Sequence, residues 1–513
     1  MSNVRTIAKN TTSLLVAEGL SQILRVVYFA VLVRYVQAEG MGKISTAQAL
    51  VTTLFVLVTF GFEQLMVRDV AGARTRAATY VSNIAFLRLF LSVVFAAVLW
   101  GMVQAFDYPA ELAIITYIYG FAFLVKAFTD VGLAVYQAFE IMEFNLLTRV
   151  VRDLVNIGLS LLAIALGYSL IVIVGVTALA NVVELVLTFA LLRRRGVPFQ
   201  FRVDLGLARR LLVMALPFAL VSVYPLAHSQ LNTLILSATS TVEDVGWFAS
   251  PSTLIGMTML IPAVFMRAVF PVFSRFSRAP EGGAAAGRAP TTPRPDTVQV
   301  GAPSDGGAGA PTGRGAGALE ATYQKSFTYL LIAGLAVSVG TYLTAGRLIP
   351  LIFGDGFEQS VPVLQILAWQ PVFGFVGHVN GNLLVATGRE KFFVVTEGLF
   401  AGLYALLGFV LVPLMGMIGA GIAVVVPTAM GFVFYSVYCH RMLGLALPWK
   451  KVLAATAAAL LMAGGVYAAL QLEVNFFAVV LLIAPAIYAA ALALLGVLSR
   501  EDVSLVKQAL KLQ

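Results

Sequence analysis

Arg25, Arg88, Lys126 and Arg267 stand inside long apolar runs of the 513-residue sequence, and so do the acidic residues Glu18, Glu63, Asp130 and Glu184. An ionised side chain inside hydrocarbon is costly, so each one marks a function or needs a partner. The guanidinium fork of an arginine can donate two parallel charge-assisted hydrogen bonds to a phosphate oxyanion. A carboxylate in the same surroundings can take up a proton or a cation, or close an ion pair. Glu18, Ser21, Gln22, Arg25 and Tyr28 recur at three- and four-residue steps, which stacks them on one face of a helix. Such a polar stripe must face protein or a water-filled cavity. We therefore take Arg25, Arg267, Lys126, Arg88, Gln22 and Tyr28 as candidates for binding an anionic ligand. Glu18, Glu63, Asp130 and Glu184 are candidates for gating or ion coupling.

Each candidate also has a plainer reading. Lys126 and Asp130 are four residues apart and can pair within one helix. Glu18 and Arg25 can do no more than order helix packing. Arg88 can pair with Asp130 or reach headgroups, and Arg267 is close enough to a helix end to snorkel. Shifting Arg267 back by 204 residues lands on Glu63, so these two are candidates for an ion pair between equivalent positions. His378, Glu397 and the tryptophans carry no site assignment.

The elements that must position these groups follow from composition. The chain is 60% hydrophobic and only 12% charged, with a mean hydropathy of +0.91, whereas a water-solvated surface needs roughly 25% charge. A lipid-facing surface satisfies both numbers. Spanning the hydrocarbon takes about 20 apolar residues, and that rule predicts an all-α integral membrane protein with about fourteen transmembrane helices. They fall near 11–34, 45–67, 80–105, 111–135, 144–166, 169–192, 208–236, 246–273, 322–344, 360–386, 391–412, 417–439, 451–470 and 475–498. With the N-terminus inside, about 27 Lys and Arg fall on the cytoplasmic side and only about three, Arg34, Lys43 and Arg347, on the other. The formal net charge of +9 is thus topology rather than a nucleic-acid patch, and both termini are expected in the cytoplasm. Cys439 is the only cysteine, and the histidines at 228, 378 and 440 lack metal-ligand spacing.

Residues 279–319 are dominated by Gly, Ala, Pro, Thr and Ser, too little apolar surface to offset the entropy of ordering, so a disordered cytoplasmic insert is expected there. An internal repeat brackets it. Glu39-Gly40-Met41-Gly42 matches Glu243-Asp244-Val245-Gly246 at an offset of 204, and Gln137-Ala138-Phe139-Glu140 matches Thr387-Gly388-Arg389-Glu390 at an offset of 250. The offset grows by about the length of the insert. The expected division is a six-helix lobe over 1–205 and a second over 206–278 and 320–445. Two additional helices and a short tail occupy 446–513. Both lobes begin on the same side, so the repeat is parallel.

Several stretches resemble the polysaccharide-transporter (Wzx-like) branch of the multidrug/oligosaccharidyl-lipid/polysaccharide exporter superfamily. They include Arg34 to Gly42 (RYVQAEGMG), Phe60-Gly61-Phe62 with Val67-Arg68-Asp69, and Ala215-Leu216-Pro217-Phe218. Further stretches are Phe270 to Arg275 (FPVFSR), Leu348 to Gly354 (LIPLIFG), and Leu383 to Arg389 (LLVATGR). The resemblance covers helices 1 to 12 and implies two six-helix lobes around a central cavity. It implies a flippase that carries a polyprenyl-(pyro)phosphate-linked oligosaccharide from the cytoplasmic to the outer leaflet by alternating access, for cell-surface polysaccharide biosynthesis. The setting would be the inner membrane, the partners membrane lipids and, among proteins, a polymerase or glycosyltransferases of the same pathway. A lipid II flippase and a cation-coupled multidrug exporter of the same superfamily stay open as alternatives. No cofactor is implied beyond a H⁺ or Na⁺ gradient or the membrane potential. Asn232 stands where many relatives carry an acidic residue in helix 7, which leaves the coupling ion open. An enzyme is not expected, because no outer loop or folded cytosolic domain is large enough to house catalysis.

Overall fold

A computed structural model describes residues 2–72, 77–194, 203–277 and 314–497. All regular structure in them is helical, in the order α1 (Ser2–Thr59), α2 (Phe62–Gly72), α3 (Ala77–Ala105), α4 (Ala110–Ala138), α5 (Met142–Ala165) and α6 (Leu170–Arg194). There follow α7 (Leu205–Thr239), α8 (Val242–Thr258), α9 (Leu260–Ser277), α10 (Arg314–Phe353), α11 (Ser360–Leu367) and α12 (Gln370–Ala386). The chain closes with α13 (Glu390–Leu443), α14 (Trp449–Gln471), α15 (Phe476–Ala478), a π turn over Val479–Ile483, and α16 (Ala484–Leu494).

Among the described residues, ten helical stretches are long and apolar enough to cross a membrane. Two of them, Leu24–Gly72 and Glu390–Leu443, are broken midway and each supplies two crossings. The first breaks at Gln37 (φ 58°, ψ −174°) and the second at Gly416 (φ 58°, ψ −135°). With α5 and α7, which also have the length, the candidate crossings among the described residues number fourteen, matching the apolar runs. Gly416 suits its break because that backbone region penalises any Cβ. Gln37 has no such excuse, and a non-glycine residue held there marks strain imposed by its surroundings. The predicted crossings at 246–273 and 360–386 are each divided, with Pro262 and Pro371 in the first turn of the downstream helix, where a missing N–H costs little.

The described residues form two compact units. One comprises 1–253, 346–363 and 401–424, and the other 254–345, 364–400 and 425–513. The first is built around α4, which packs on α1, α2, α3 and α6. Its core includes Phe62, Leu65, Ile84, Val131, Tyr136 and Leu211. At the end remote from the N-terminus, side chains tie the connections of this unit together. Arg34 donates through Nε to the Ile352 carbonyl at 2.9 Å and through Nη2 to that of Leu351. Tyr35 donates to the Tyr168 carbonyl at 2.8 Å, and Lys43 meets Glu39 and Glu111, each at 2.6 Å.

The second unit packs Tyr323, Phe327, Phe375, Val379, Tyr435 and Cys439 into its core together with α14 and α16. A buried polar chain runs through it: Tyr323 donates to Asn380 Oδ1 at 3.0 Å, and Asn380 Nδ2 to Ser436 Oγ at 3.1 Å. One boundary is corrected. Helix α10 begins at Arg314, inside the segment expected to be disordered, because Leu319 buries itself (1% exposed) beside Tyr323. The rest of that insert, 279–313, and the tail from 498 lie outside the described residues.

Candidate functional site: a charge network among α2 to α6

Sequence-predicted candidates converge in the first unit. On α4, Lys126 Nζ pairs with Asp130 Oδ1 at 2.8 Å, the i,i+4 contact that their spacing predicts. Lys126 keeps 35% of its side chain exposed and Asp130 11%, so the cation stays reachable while the carboxylate turns inward. From α2, Glu63 Oε1 accepts from Gln137 Nε2 at 3.4 Å. The carboxylates of Asp130 and Glu63 act electrostatically on Arg88 on α3. Arg88 is itself only 1% exposed, enclosed within the bundle.

Sequence reasoning missed the α5 side of this network. Arg152 Nη1 lies 3.5 Å from Glu184 Oε2 on α6, and Arg152 Nη2 is 2.7 Å from Asp153 Oδ1. Glu184 is 1% exposed, and Arg149 adds a positive field at both Glu63 and Glu184. The signal was there to read: Arg149, Arg152, Asn156 and Ser160 step along one face of α5. Both arginines lie near the start of the crossing predicted at 144–166, where basic residues ordinarily belong to the water interface. The network then holds four cations (Arg88, Lys126, Arg149, Arg152) and four anions (Glu63, Asp130, Asp153, Glu184). Its formal charge is zero, so gain of one proton or one cation unbalances it.

Incomplete hydrogen bonding separates this region from ordinary core. Arg88 Nε and Nη1, Asn156 Oδ1, Glu184 Oε1, Thr188 Oγ1 and Asn232 Oδ1 are buried without a hydrogen-bond partner, and every one belongs to the first unit. The Tyr323–Asn380–Ser436 chain of the second unit is by contrast joined end to end. Buried polar atoms normally find partners, and leaving one unmatched costs about 1–3 kcal/mol. Three of the unmatched oxygens (Asn156, Glu184, Thr188) lie on α5 and α6, which pack against each other. Glu184 faces α5 through Arg152, whereas Thr188 packs against Gly132 on α4.

The remaining candidates are placed as follows. Gln22, Arg25 and Tyr28 are half-buried on the first segment of α1, with Tyr28 in reach of Ser160 on α5. The side chains of Glu18 and Ser21, and with them the Glu18–Arg25 contact, lie outside the described residues. Arg267 is exposed on α9 in the second unit, whereas Glu63 spends its contact on Gln137 in the first. Asn232 donates from Nδ2 to the Ala420 carbonyl at 3.1 Å, which satisfies a carbonyl four residues past the Gly416 break. No group of three or more His, Cys, Asp or Glu able to hold a metal occurs among the described residues.

The family model described as "Polysaccharide biosynthesis protein" matches residues 7–277, more than half of the chain. The chain belongs to the polysaccharide biosynthesis protein family. That match takes in every element of the charge network as well as α7 to α9. No curated protein matches the sequence. Several solved structures share the fold of this family member. The lipid II flippase MurJ, in an inward closed conformation, superposes with a TM-score of 0.69 at 11% identity, over 94% of this chain and 98% of that one. A multidrug resistance MATE family transporter of the MOP superfamily, inward-facing, gives a TM-score of 0.58 at 15% identity, over 82% of this chain and 94% of that one. A point mutant of the Vibrio cholerae MATE transporter VcmN gives 0.50 at 13% identity, over 84% and 97%. At such identities the likeness is one of fold, and it runs nearly the full length of this family member.

Proposed function

We propose that the protein is a flippase that carries a polyprenyl-(pyro)phosphate-linked oligosaccharide from the cytoplasmic to the outer leaflet for cell-surface polysaccharide biosynthesis. Membership of the polysaccharide biosynthesis family carries this reading. The cations support it: Arg25, Lys126 and Arg267 supply positive charge within apolar spans, as an anionic phosphate head group requires. The prenyl tail stays in lipid while the head group crosses between two six-helix lobes by alternating access. The chain sits in the inner membrane with both termini cytoplasmic, beside the polymerase and glycosyltransferases of its pathway. No bond is made or broken in this reading, so the protein acts as a transporter and not as an enzyme.

Glu184 is the carboxylate best suited to couple an ion gradient. It is buried, one oxygen lies near Arg152, and the other has no partner. Binding H⁺ or Na⁺ there would release Arg152 and shift α5 against α6. A lipid II substrate is the second reading, favoured by the resemblance of nearly the whole chain to MurJ in fold. Purified protein in vesicles that hold polyprenyl-diphosphate oligosaccharide on one leaflet tests the proposal. Exposure of that glycan on the other leaflet, with a polyprenyl-diphosphate muropeptide left behind, supports the first reading; the reverse preference supports the second.

A further inference from the structure

The repeat at an offset of 204 reappears as a reciprocal contact. A Cβ built on Gly42 would stand 1.8 Å from the Val242 carbonyl oxygen, and one built on Gly246 would stand 2.0 Å from the Ala38 carbonyl oxygen. Adding 204 to 42 gives 246, and subtracting 204 from 242 gives 38. The two contacts are thus mates, each repeat placing its glycine on the backbone of the other, as a two-fold axis along the bundle demands. Both lie within the first compact unit, at the end remote from the N-terminus. Small residues let two helix backbones touch, so such contacts are held by close packing.

Short-range contacts brace this seam. Trp247, beside Gly246, donates from Nε1 to the Gly356 carbonyl at 2.8 Å, and its own carbonyl accepts from Ser360 Oγ at 2.8 Å. Phe29 meets Phe353 edge-on with centroids 6.0 Å apart. Gln37, the strained residue between the two segments of α1, stands next to Gly356: the glycine's missing Cβ would lie 3.5 Å from Gln37 Oε1. Ala38, Val245 and Phe357 are buried within it. Within the Ala38–Gly42 segment, Glu39 pairs with Lys43 at 2.6 Å along the same helix, and Lys43 also holds Glu111 at 2.6 Å.

We propose that the Ala38–Gly42 and Val242–Gly246 segments are the gate at this end, a backbone seam that parts symmetrically about the repeat axis. The proposal rests on the alternating-access reading above. Its consequence is that either glycine, given a methyl group, wedges the seam open, and that the two substitutions are equivalent. The test uses the full-length chain with Cys439→Ala and a reporter cysteine at Gln48. Gln48 is exposed and lies about 9 Å beyond Gly42 along the same helix at 1.5 Å per residue. A membrane-impermeant maleimide is added from the side opposite the N-terminus. We expect Gly42→Ala and Gly246→Ala each to speed labelling about five-fold or more, as a shift of about 1 kcal/mol in a two-state equilibrium does. Labelling within two-fold of the parent in both, or a rise in one alone, overturns the proposal. Trp247→Phe removes a hydrogen bond without adding bulk and must also speed labelling. If the glycine variants fail to accumulate, an unchanged rate in Trp247→Phe overturns the proposal by itself. Labelling reports the gate and lipid analysis the cargo, so the two readings fail separately.

Discussion

Arg152 reaches across from α5 to place Nη1 3.5 Å from Glu184 Oε2, and Glu184 is 1% exposed. Of the three cations that act on this enclosed carboxylate, Arg152, Lys126 and Arg149, Arg152 contributes most. Removing the cation leaves a buried unpaired charge, a loss of about 3–5 kcal/mol. Arg152→Met is thus expected to lower the melting temperature of the purified protein well below that of Glu184→Gln, which discards the charge and keeps the shape. Equal melting shifts would show that the pair is not what stabilises Glu184.

Glu184→Gln carries a second expectation. If this carboxylate couples export to an ion gradient, the variant keeps its fold but its export no longer responds to collapse of the proton or sodium gradient. Rates measured in vesicles with imposed gradients check this directly. A variant that still responds as the parent does would move coupling elsewhere in the network.

Lys126 and Asp130 make an i,i+4 pair at 2.8 Å. Lys126→Met and Asp130→Asn should each disturb the network, and the double variant should recover part of the loss. Contacting residues show interaction energies of about 0.5–3 kcal/mol in such cycles. Strict additivity in melting temperature would mean that the two groups act independently.

Arg25→Ala and Arg267→Ala are expected to cut surface glycan about ten-fold, roughly 1.4 kcal/mol of lost head-group binding, at unchanged protein level. Lysine should rescue only in part, because it lacks the bidentate fork. Full export by both alanine variants would remove these residues from the binding site.

Orientation has its own check. Asp107 and Glu358 are exposed in connections at the end remote from the N-terminus. Cysteines placed there should be labelled by an impermeant reagent from outside the cell, while a protease site inserted at 295 should be cut only from the cytoplasm. Labelling and cleavage from the same side would contradict the basic-residue asymmetry.

Much of this architecture is legible in the residues, and the reasons are physical. Hydrocarbon thickness fixes helix length, so apolar runs alone yield fourteen crossings. Spacing of four on a helix is a contact, so Lys126 and Asp130 are paired from the sequence. The repeated Gly42 and Gly246 are visible as a motif, but not their embrace, because periodicity says which segments are alike and not that they touch. Trp247 and Gly356 are 109 residues apart, and no local rule brings them together. Arg88 reads as a membrane-embedded cation either way; only three-dimensional packing tells a buried counter-charge from a cavity-facing ligand. Arg152 was hidden for the opposite reason, since a basic residue near the start of a crossing normally belongs to the water interface.

The central claim is that this protein moves a lipid-linked sugar, and lipids extracted from cells depleted of it test that most directly. The account predicts accumulation of a polyprenyl-diphosphate oligosaccharide, confined to the cytoplasmic leaflet and cleared when the protein is restored. Unchanged lipid intermediates together with new sensitivity to cationic drugs would contradict it and point to a multidrug exporter.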